Sequence, residues 1–340
     1  MKGKGPGKKE FHVGLDIGTR LIKALELSFE NATPKLTKLH FVEITPPATL
    51  ENTAKALAEL LETFKPNTTE VNISLSAPSA IVRFINMPRM KEEDLRNSLR
   101  FEAEKYIPFN INEVFIDACI LEEDAEEKNQ MRVLLAAAKK DVVNSRIEML
   151  KEAGLSVAVI DIDSFACFNA FCNCAGSPDE SKSRALLNIG YTQTNVVIAR
   201  GPEPFFTRDI QIAAIDMAKS ISKAFGTEEK ESDKFIFEPG EKEAQVLDAA
   251  RPVLSNLVDE LRLSFGYYEN QYGKGIDEIY VSGGAAKLPG ILNYLEENFG
   301  TKPVIWNPFS KFEVSPEVDT KLPDAAGAQF GVSAGLALRK

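Results

Sequence analysis

Two short stretches of this chain share one frame. Residues 15–19 read LDIGT and residues 187–192 read LNIGYT, so Leu-x-Ile-Gly precedes a threonine twice. A glycine that closes an apolar strand suits a tight turn, because the missing Cβ lets backbone N–H groups approach an anion. The flanking patterns match as well. HVGLDIG (12–18) and LIKALELS (21–28) read as one hairpin, and RALLNIG and TNVVIAR (184–200) read as its counterpart. A chain that makes one strand–turn–strand unit twice is held to a duplicated α/β architecture, with a turn from each half available to one ligand. The copies differ at one telling place: Asp16 is matched by Asn188.

The residues around these turns have phosphate chemistry. Gly18 and Gly190 supply the turns, and Thr19 and Thr192 add hydroxyl donors. Lys23 stands on the second strand of its hairpin, where it is able to reach back to a phosphate as a point charge. Asp16 is suited to hold Mg²⁺ through water, since that ion keeps several waters and takes one or two carboxylates. A third stretch, IYVSGGAAKLPG (279–290), ends an apolar strand in Ser-Gly-Gly. Gly283 and Gly284 leave flat backbone for a purine or ribose, and a helix is expected from Leu288–Pro289, since proline is favoured in a first helical turn.

The rest of the chain alternates strands and helices. A helix is expected over 50–64, with Leu50, Ala54, Leu57, Leu60, Leu61 and Phe64 on one face. Strands are expected over 38–44, 71–77 and 157–163. Between them, 79–155 has its own rhythm: strand (80–87), helix (91–106), strands (113–122 and 131–138), helix (141–153). The helix at 91–106 carries Leu95, Leu99 and Phe101, more apolar surface than a small subdomain easily hides. Residues 226–243, charged and punctuated by Gly and Pro, read as an exposed loop or minor subdomain. A length of 340 residues accommodates two domains. A net charge of −10 argues against a nucleic-acid partner, which calls for a basic face. Four cysteines without an apolar leader fit a reducing cytosol, and no run reaches the ~18 apolar residues of a membrane span.

With the three motifs in this order, the chain resembles the actin-like ATPase superfamily. The insert narrows the resemblance: NMPRMKEEDLRNSLRFEAEKYIPFNINE (86–113), KKDVVNSRIEMLKEAGL and IDIDSFACFNAF (139–171) are similar to the PilM family of type IV pilus assembly proteins. The resemblance implies an actin-like, ribonuclease-H-like two-domain fold of the α/β class with a small α+β insert. The first domain covers 8–78, completed by 156–184 and 312–340. The insert is 79–155. The second domain is 185–311, with a minor subdomain around 210–265. It also implies ATP and Mg²⁺ as cofactors, held by Asp16, Gly18, Thr19, Arg20 and Lys23 from the first motif, and by Gly190, Tyr191, Thr192 and Gln193 from the second. Gly283, Gly284 and Lys287 belong to the adenosine motif. Glu260, Arg262 and Ser264 in DELRLSF would contact ribose and adenine. The small-residue run at 325–339 would be a helix on which two domains shear.

The same resemblance places Asp163 near the attacking water, while Asn188 departs from the usual Asp, so hydrolysis is expected to be slow at most. It implies a cytoplasmic scaffold peripheral to the inner membrane, without direct membrane insertion. Its partner would be the N-terminal cytoplasmic peptide of a PilN-like single-span protein, with self-association open. An FtsA-like division protein and an actin-fold ATPase or small-molecule kinase are the alternatives. FtsA ends in a membrane-binding helix after a linker, which is not seen before Lys340. Cys167, Cys172 and Cys174 are expected to be helix-core thiols and Trp306 to pack a strand end. Glu122, Glu123, Asp124, Glu126 and Glu127 are expected in a solvated loop.

Overall fold

The structure, a computed structural model, describes residues 10–30, 33–123, 129–174, 179–319 and 327–339. Alternating apolar residues make three antiparallel strands, β1 (Glu10–Ile17), β2 (Leu21–Phe29) and β3 (Pro34–Glu43). β4 (Glu70–Leu75) adds in parallel to the far side of β1, and β8 (Ser156–Ile162) follows it. The second half repeats the scheme. β9 (Ser183–Ile189), β10 (Thr194–Arg200) and β11 (Glu203–Ile210) are antiparallel. β12 (Glu278–Ser282) lies parallel to β9, with β13 (Val304–Ile305) beyond it. The orders are β3-β2-β1-β4-β8, edged by β14 (Glu313–Val314), and β11-β10-β9-β12-β13. In each sheet the first strand of the meander is central and takes its fourth neighbour in parallel, so the repeat seen in two glycine turns is a repeat of whole sheets.

Two helices run where the sheets need cover. α4 (Asp163–Cys174) and the C-terminal helix (Gly331–Leu338) share one apolar cluster with Leu25, Leu27 and Leu36 of the first sheet and Leu186, Val197 and Ala199 of the second. They pack backbone to backbone: a Cβ on Gly335 would stand 1.6 Å from the Ala166 carbonyl oxygen. Cys167 and Cys174 are buried in this layer and Cys172 is half-buried; burial pushes the Cys167 thiol up to about 12, which leaves it an apolar packing group. Trp306 is buried directly after β13 and edges against Phe171.

Residues Leu75–Val157 form a separate compact unit. It has a three-stranded sheet ordered β5-β7-β6, from β5 (Ala80–Pro88), β6 (Val114–Glu123) and β7 (Gln130–Lys139), with helices α2 (Glu92–Ala103) and α3 (Lys140–Glu152). Leu95 and Leu99 fill its own core, so only Phe101, 77% exposed, is surplus apolar surface on α2. Glu122 and Glu123 belong to β6 rather than to a loop, and Asp124, Glu126 and Glu127 lie outside the described residues.

Other expectations change in detail. On α1 (Leu50–Phe64) the buried face is Thr53, Ala56, Leu57, Leu60 and Phe64, while Leu50, the first residue after the Thr49 cap, is 58% exposed. The charged stretch at 226–243 contains helix α6 (Glu229–Phe237), between α5 (Ala214–Phe225) and α7 (Glu243–Tyr272). Ser232, Asp233 and Ile236 are buried on it, a helical spacing masked by the surrounding charge. α8 (Ile291–Phe299) begins at Ile291, not Leu288, because Gly290 caps it at φ 74° and residues 284–287 form a short 3₁₀ turn. The run at 325–339 is a 3₁₀ turn (Gly327–Phe330) followed by the C-terminal helix; residues 325 and 326 lie outside the described residues.

Gly335→Val should therefore force the two central helices apart. The expected cost is about 2–3 kcal/mol or more of unfolding free energy, read by chemical denaturation, whereas valine at exposed Gly273, whose surroundings are open, costs only backbone strain.

Candidate nucleotide site

The two glycine turns close in the same way. Gly18 N–H donates to the Leu21 carbonyl at 3.1 Å, and Gly190 N–H donates to the Gln193 carbonyl at 2.9 Å. The turns also meet: Thr19 Oγ1 and Thr192 Oγ1 are 3.2 Å apart. The third motif joins them because β12 lies beside β9, with Ser282 in register with Asn188. Gly283, at φ 91°, is pressed on that strand; a Cβ there would lie 2.3 Å from the Ile189 carbonyl. Gly284 follows, partly exposed, facing the ring of Phe237 on α6, and Lys287 is exposed at the end of the 3₁₀ turn.

Asp16 and Lys23 are direct cross-strand partners, and their ion pair measures 2.5 Å. Lys23 Nζ also donates to the Gln329 carbonyl at 3.1 Å. The neighbouring Ala328 carbonyl accepts from Ser282 Oγ at 2.6 Å and from Gly283 N–H at 2.9 Å. Asp163, the first residue of α4, faces this group. Burial, then the charge of Asp16, then a smaller effect of Asp209 push its carboxyl up to about 6. Asp16 and Asp163 thus bear on one lysine while Asp209 adds to the charge on Asp163, an excess that a divalent cation relieves. Among the described residues, no three acidic or histidine side chains are grouped to cage a metal directly. The donor set therefore fits Mg²⁺ held through water and phosphate, with Asp16 as its protein carboxylate.

A clasp unforeseen in the sequence stands beside the turns. Arg20 pairs with buried Asp233 of α6, lies 5.4 Å over the Tyr191 ring, and is 3.6 Å from Glu43. Tyr191 Oη donates to the same Asp233 oxygen at 3.2 Å. The only hint of Asp233 in the sequence is the i, i+4 pair Ser232 and Ile236, buried with it. Asp209 was missed for a simpler reason. It reaches the site from β11 through Asn195, to which it is joined at 2.6 Å, and Asn195 in turn meets Asn188 at 2.9 Å.

Glu260, Arg262 and Ser264 are not brought to the adenosine motif. Glu260 pairs with Arg208, whose Nη1 also donates to Ser264 Oγ at 3.2 Å. Arg262 pairs with Asp259 and donates to Asn298 Oδ1 at 2.9 Å. α7 runs alongside α8 (Ile291–Phe299), with Leu247 against Gly290 at its start and Phe265 against Phe299 at its end. The predicted contacts lie by the wrong end of α8.

Two outcomes test this electrostatic picture. The folded state holds the Asp163 proton more tightly than the unfolded chain, whose carboxyl titrates near 3.8. Ionisation of Asp163 therefore costs stability as pH rises from about 4 through 6. Asp163→Asn is expected to stabilise the nucleotide-free protein at pH 7.5 by on the order of 2 kcal/mol, and the gain should vanish near pH 4, measured by denaturant titration. Arg20→Ala leaves Asp233 buried without its guanidinium, at a cost of about 3 kcal/mol that Asp233→Asn should largely return.

Comparison with known proteins follows the same lines. The structure of a PilM–PilN type IV pilus biogenesis complex matches at TM-score 0.85 and 30% identity, over 96% of this chain and 98% of that one. The ethanolamine utilization protein EutJ from Carboxydothermus hydrogenoformans matches at TM-score 0.58 and 12% identity, over 98% and 91%. MreB5 of Spiroplasma citri bound to AMPPNP matches at TM-score 0.51 and 14% identity, over 96% and 94%. The last two share the actin-like fold. The family model for the type IV pilus assembly protein PilM matches residues 14–340, and this chain belongs to that family.

Proposed function

We propose that the protein is a nucleotide-binding scaffold of type IV pilus assembly. ATP with Mg²⁺ would lie between the two glycine turns, its phosphates on Gly18–Thr19 and Gly190–Thr192 and its nucleoside against Gly283–Gly284. The observation that carries this reading is the meeting, at Thr19 and Thr192, of two turns that close in the same way. Lys23 would exchange part of its contact with Asp16 for phosphate, and Asp16 would orient water on the metal. When bound, Mg²⁺ supplies charge neutralisation for the phosphates. Asn188 carries no charge and takes no proton, which supports slow turnover and a long-lived loaded state, as a scaffold needs.

The partner would be the cytoplasmic N-terminal peptide of a PilN-like single-span inner-membrane protein. Among the described residues no helix of this chain is long and apolar enough to cross a membrane. The Leu75–Val157 unit supports peptide capture, since β5 and β6 are both sheet edges and Phe101, Tyr106 and Phe115 are exposed.

Calorimetry on the intact protein should detect ATP·Mg²⁺, and Lys23→Gln should weaken it by about 1.5–3 kcal/mol, the scale of a charge-assisted hydrogen bond. A PilN-type peptide should bind by fluorescence anisotropy and lose affinity in Phe101→Ala or Phe115→Ala. If ATP changes peptide affinity, the peptide must change ATP affinity by the same factor. Absence of ATP binding removes the nucleotide half of the proposal, and undiminished binding to both aromatic variants removes the placement of the peptide.

A further inference from the structure

A row of three side chains crosses β9, β10 and β11. Asn188 is in register with Asn195, and Asn195 with Asp209. Asn195, 3% exposed, spends its amide in both directions: Nδ2 donates to Asp209 Oδ1 at 2.6 Å, and Oδ1 accepts from Asn188 Nδ2 at 2.9 Å. We infer that Asp209 is a positioning residue that fixes the polarity of Asn188 through Asn195, so that Asn188 keeps its oxygen, not its amino group, for a ligand. The inference rests on the nucleotide reading of this cleft and adds to it the identity of the group that the second turn presents.

An ionised carboxylate only accepts hydrogen bonds. Asp209 therefore holds the Nδ2 side of Asn195. That turns the Asn195 oxygen to Asn188, which must answer with its own Nδ2. Oδ1 of Asn188 is left over, two residues before Gly190 of the phosphate turn. An oxygen is what water on Mg²⁺ calls for, since such water offers only protons. The second turn thus lacks a carboxylate but keeps an acceptor, and the negative charge that orients it stands two strands away at Asp209.

The row admits a carboxylate at one end only. With Asn188→Asp, two acceptor oxygens meet across Asn195: turning the amide over only moves the clash to Asp209. With Asp209→Asn added, the row runs in reverse. The new carboxylate at 188 accepts from Asn195 Nδ2, and Asn195 Oδ1 accepts from the new amide at 209. Restoring the acid at 188 alone is therefore predicted to harm the protein, although the superfamily's usual residue there is Asp.

The test is a double-mutant cycle on the intact chain, read as thermal midpoint without nucleotide. Asn188→Asp should lower the midpoint by several degrees, and Asn188→Asp with Asp209→Asn should return it most of the way. Additive effects overturn the relay. Simple charge repulsion between 188 and 209 would also give coupling, so the cycle is repeated with Asn195→Ser. Coupling that collapses supports the amide relay, and coupling that persists unchanged overturns it. For the ligand-facing half, the gain in ATP affinity on adding Mg²⁺ should fall about ten-fold in Asp209→Asn, the scale of one hydrogen bond lost. An unchanged gain overturns the assignment of Asn188 Oδ1 to the metal's water. Absence of ATP binding in the wild type overturns the nucleotide reading, and with it that assignment, while the nucleotide-free cycle still decides the relay.

Discussion

The cleft depends on a contact in which no side chain takes part. Gly335 of the C-terminal helix lies against the carbonyl of Ala166 on α4, and these two helices fill the layer shared by both sheets. Helix axes normally stand 8–10 Å apart, the distance set by the side chains between them. Removing the side chain at the crossing brings the helices together, and the sheets with them. The 3.2 Å between Thr19 and Thr192 is a downstream result of that spacing. A ligand between two loops on separate sheets needs the sheets at one separation, and here backbone sterics set it more sharply than an adaptable apolar side chain does.

Electrostatics then gives the layer its direction. Asp16 and Asp209 both act on the buried Asp163, and Lys23 is the cation there, shared by the Asp16 carboxylate and the Gln329 carbonyl. In a protein of net charge −10 such a concentration is costly in the empty state and is relieved by a cation or by protons. The Arg20–Asp233–Tyr191 clasp answers the same need differently. It pairs a buried carboxylate with a guanidinium from the opposite half and seals it under an aromatic ring.

Much of this was legible in the sequence, because the turns are short and their chemistry demands particular residues. A strand ending in Ile-Gly before a threonine shows itself locally, and its recurrence revealed duplicated sheets. The insert was legible too, since its strands and helices keep their own periods. What failed to show depended on position along a long element. α7 has 30 residues at about 1.5 Å each, and DELRLSF carries nothing that says which end of it meets the adenosine motif. Its Leu247 region lies beside Gly290, and Glu260 to Ser264 lie about 20 Å farther along. Asp209 and Asp233 were hidden for a related reason: each is one acid among many until the sheet register or a neighbouring helix selects it. Of the apolar surplus read on the helix at 91–106, only Phe101 is surface: two residues past Leu99 it stands about 200° around the helix, away from the Leu95 and Leu99 face that fills the core.

The 3₁₀ turn ahead of the C-terminal helix has a property of its own. Two successive carbonyls there answer to opposite halves: Ala328 holds Ser282 and Gly283 of the second, and Gln329 holds Lys23 of the first. Under the proposed reading, a Lys23 drawn toward a phosphate would release the Gln329 oxygen while its neighbour stays tied. The two carbonyls belong to successive peptide planes joined at the Gln329 Cα, so the first would stay fixed and the second would be free to turn about that joint. Any rotation there would pass directly into Gly331 and the helix behind it, because the 3₁₀ turn runs into that helix without a break.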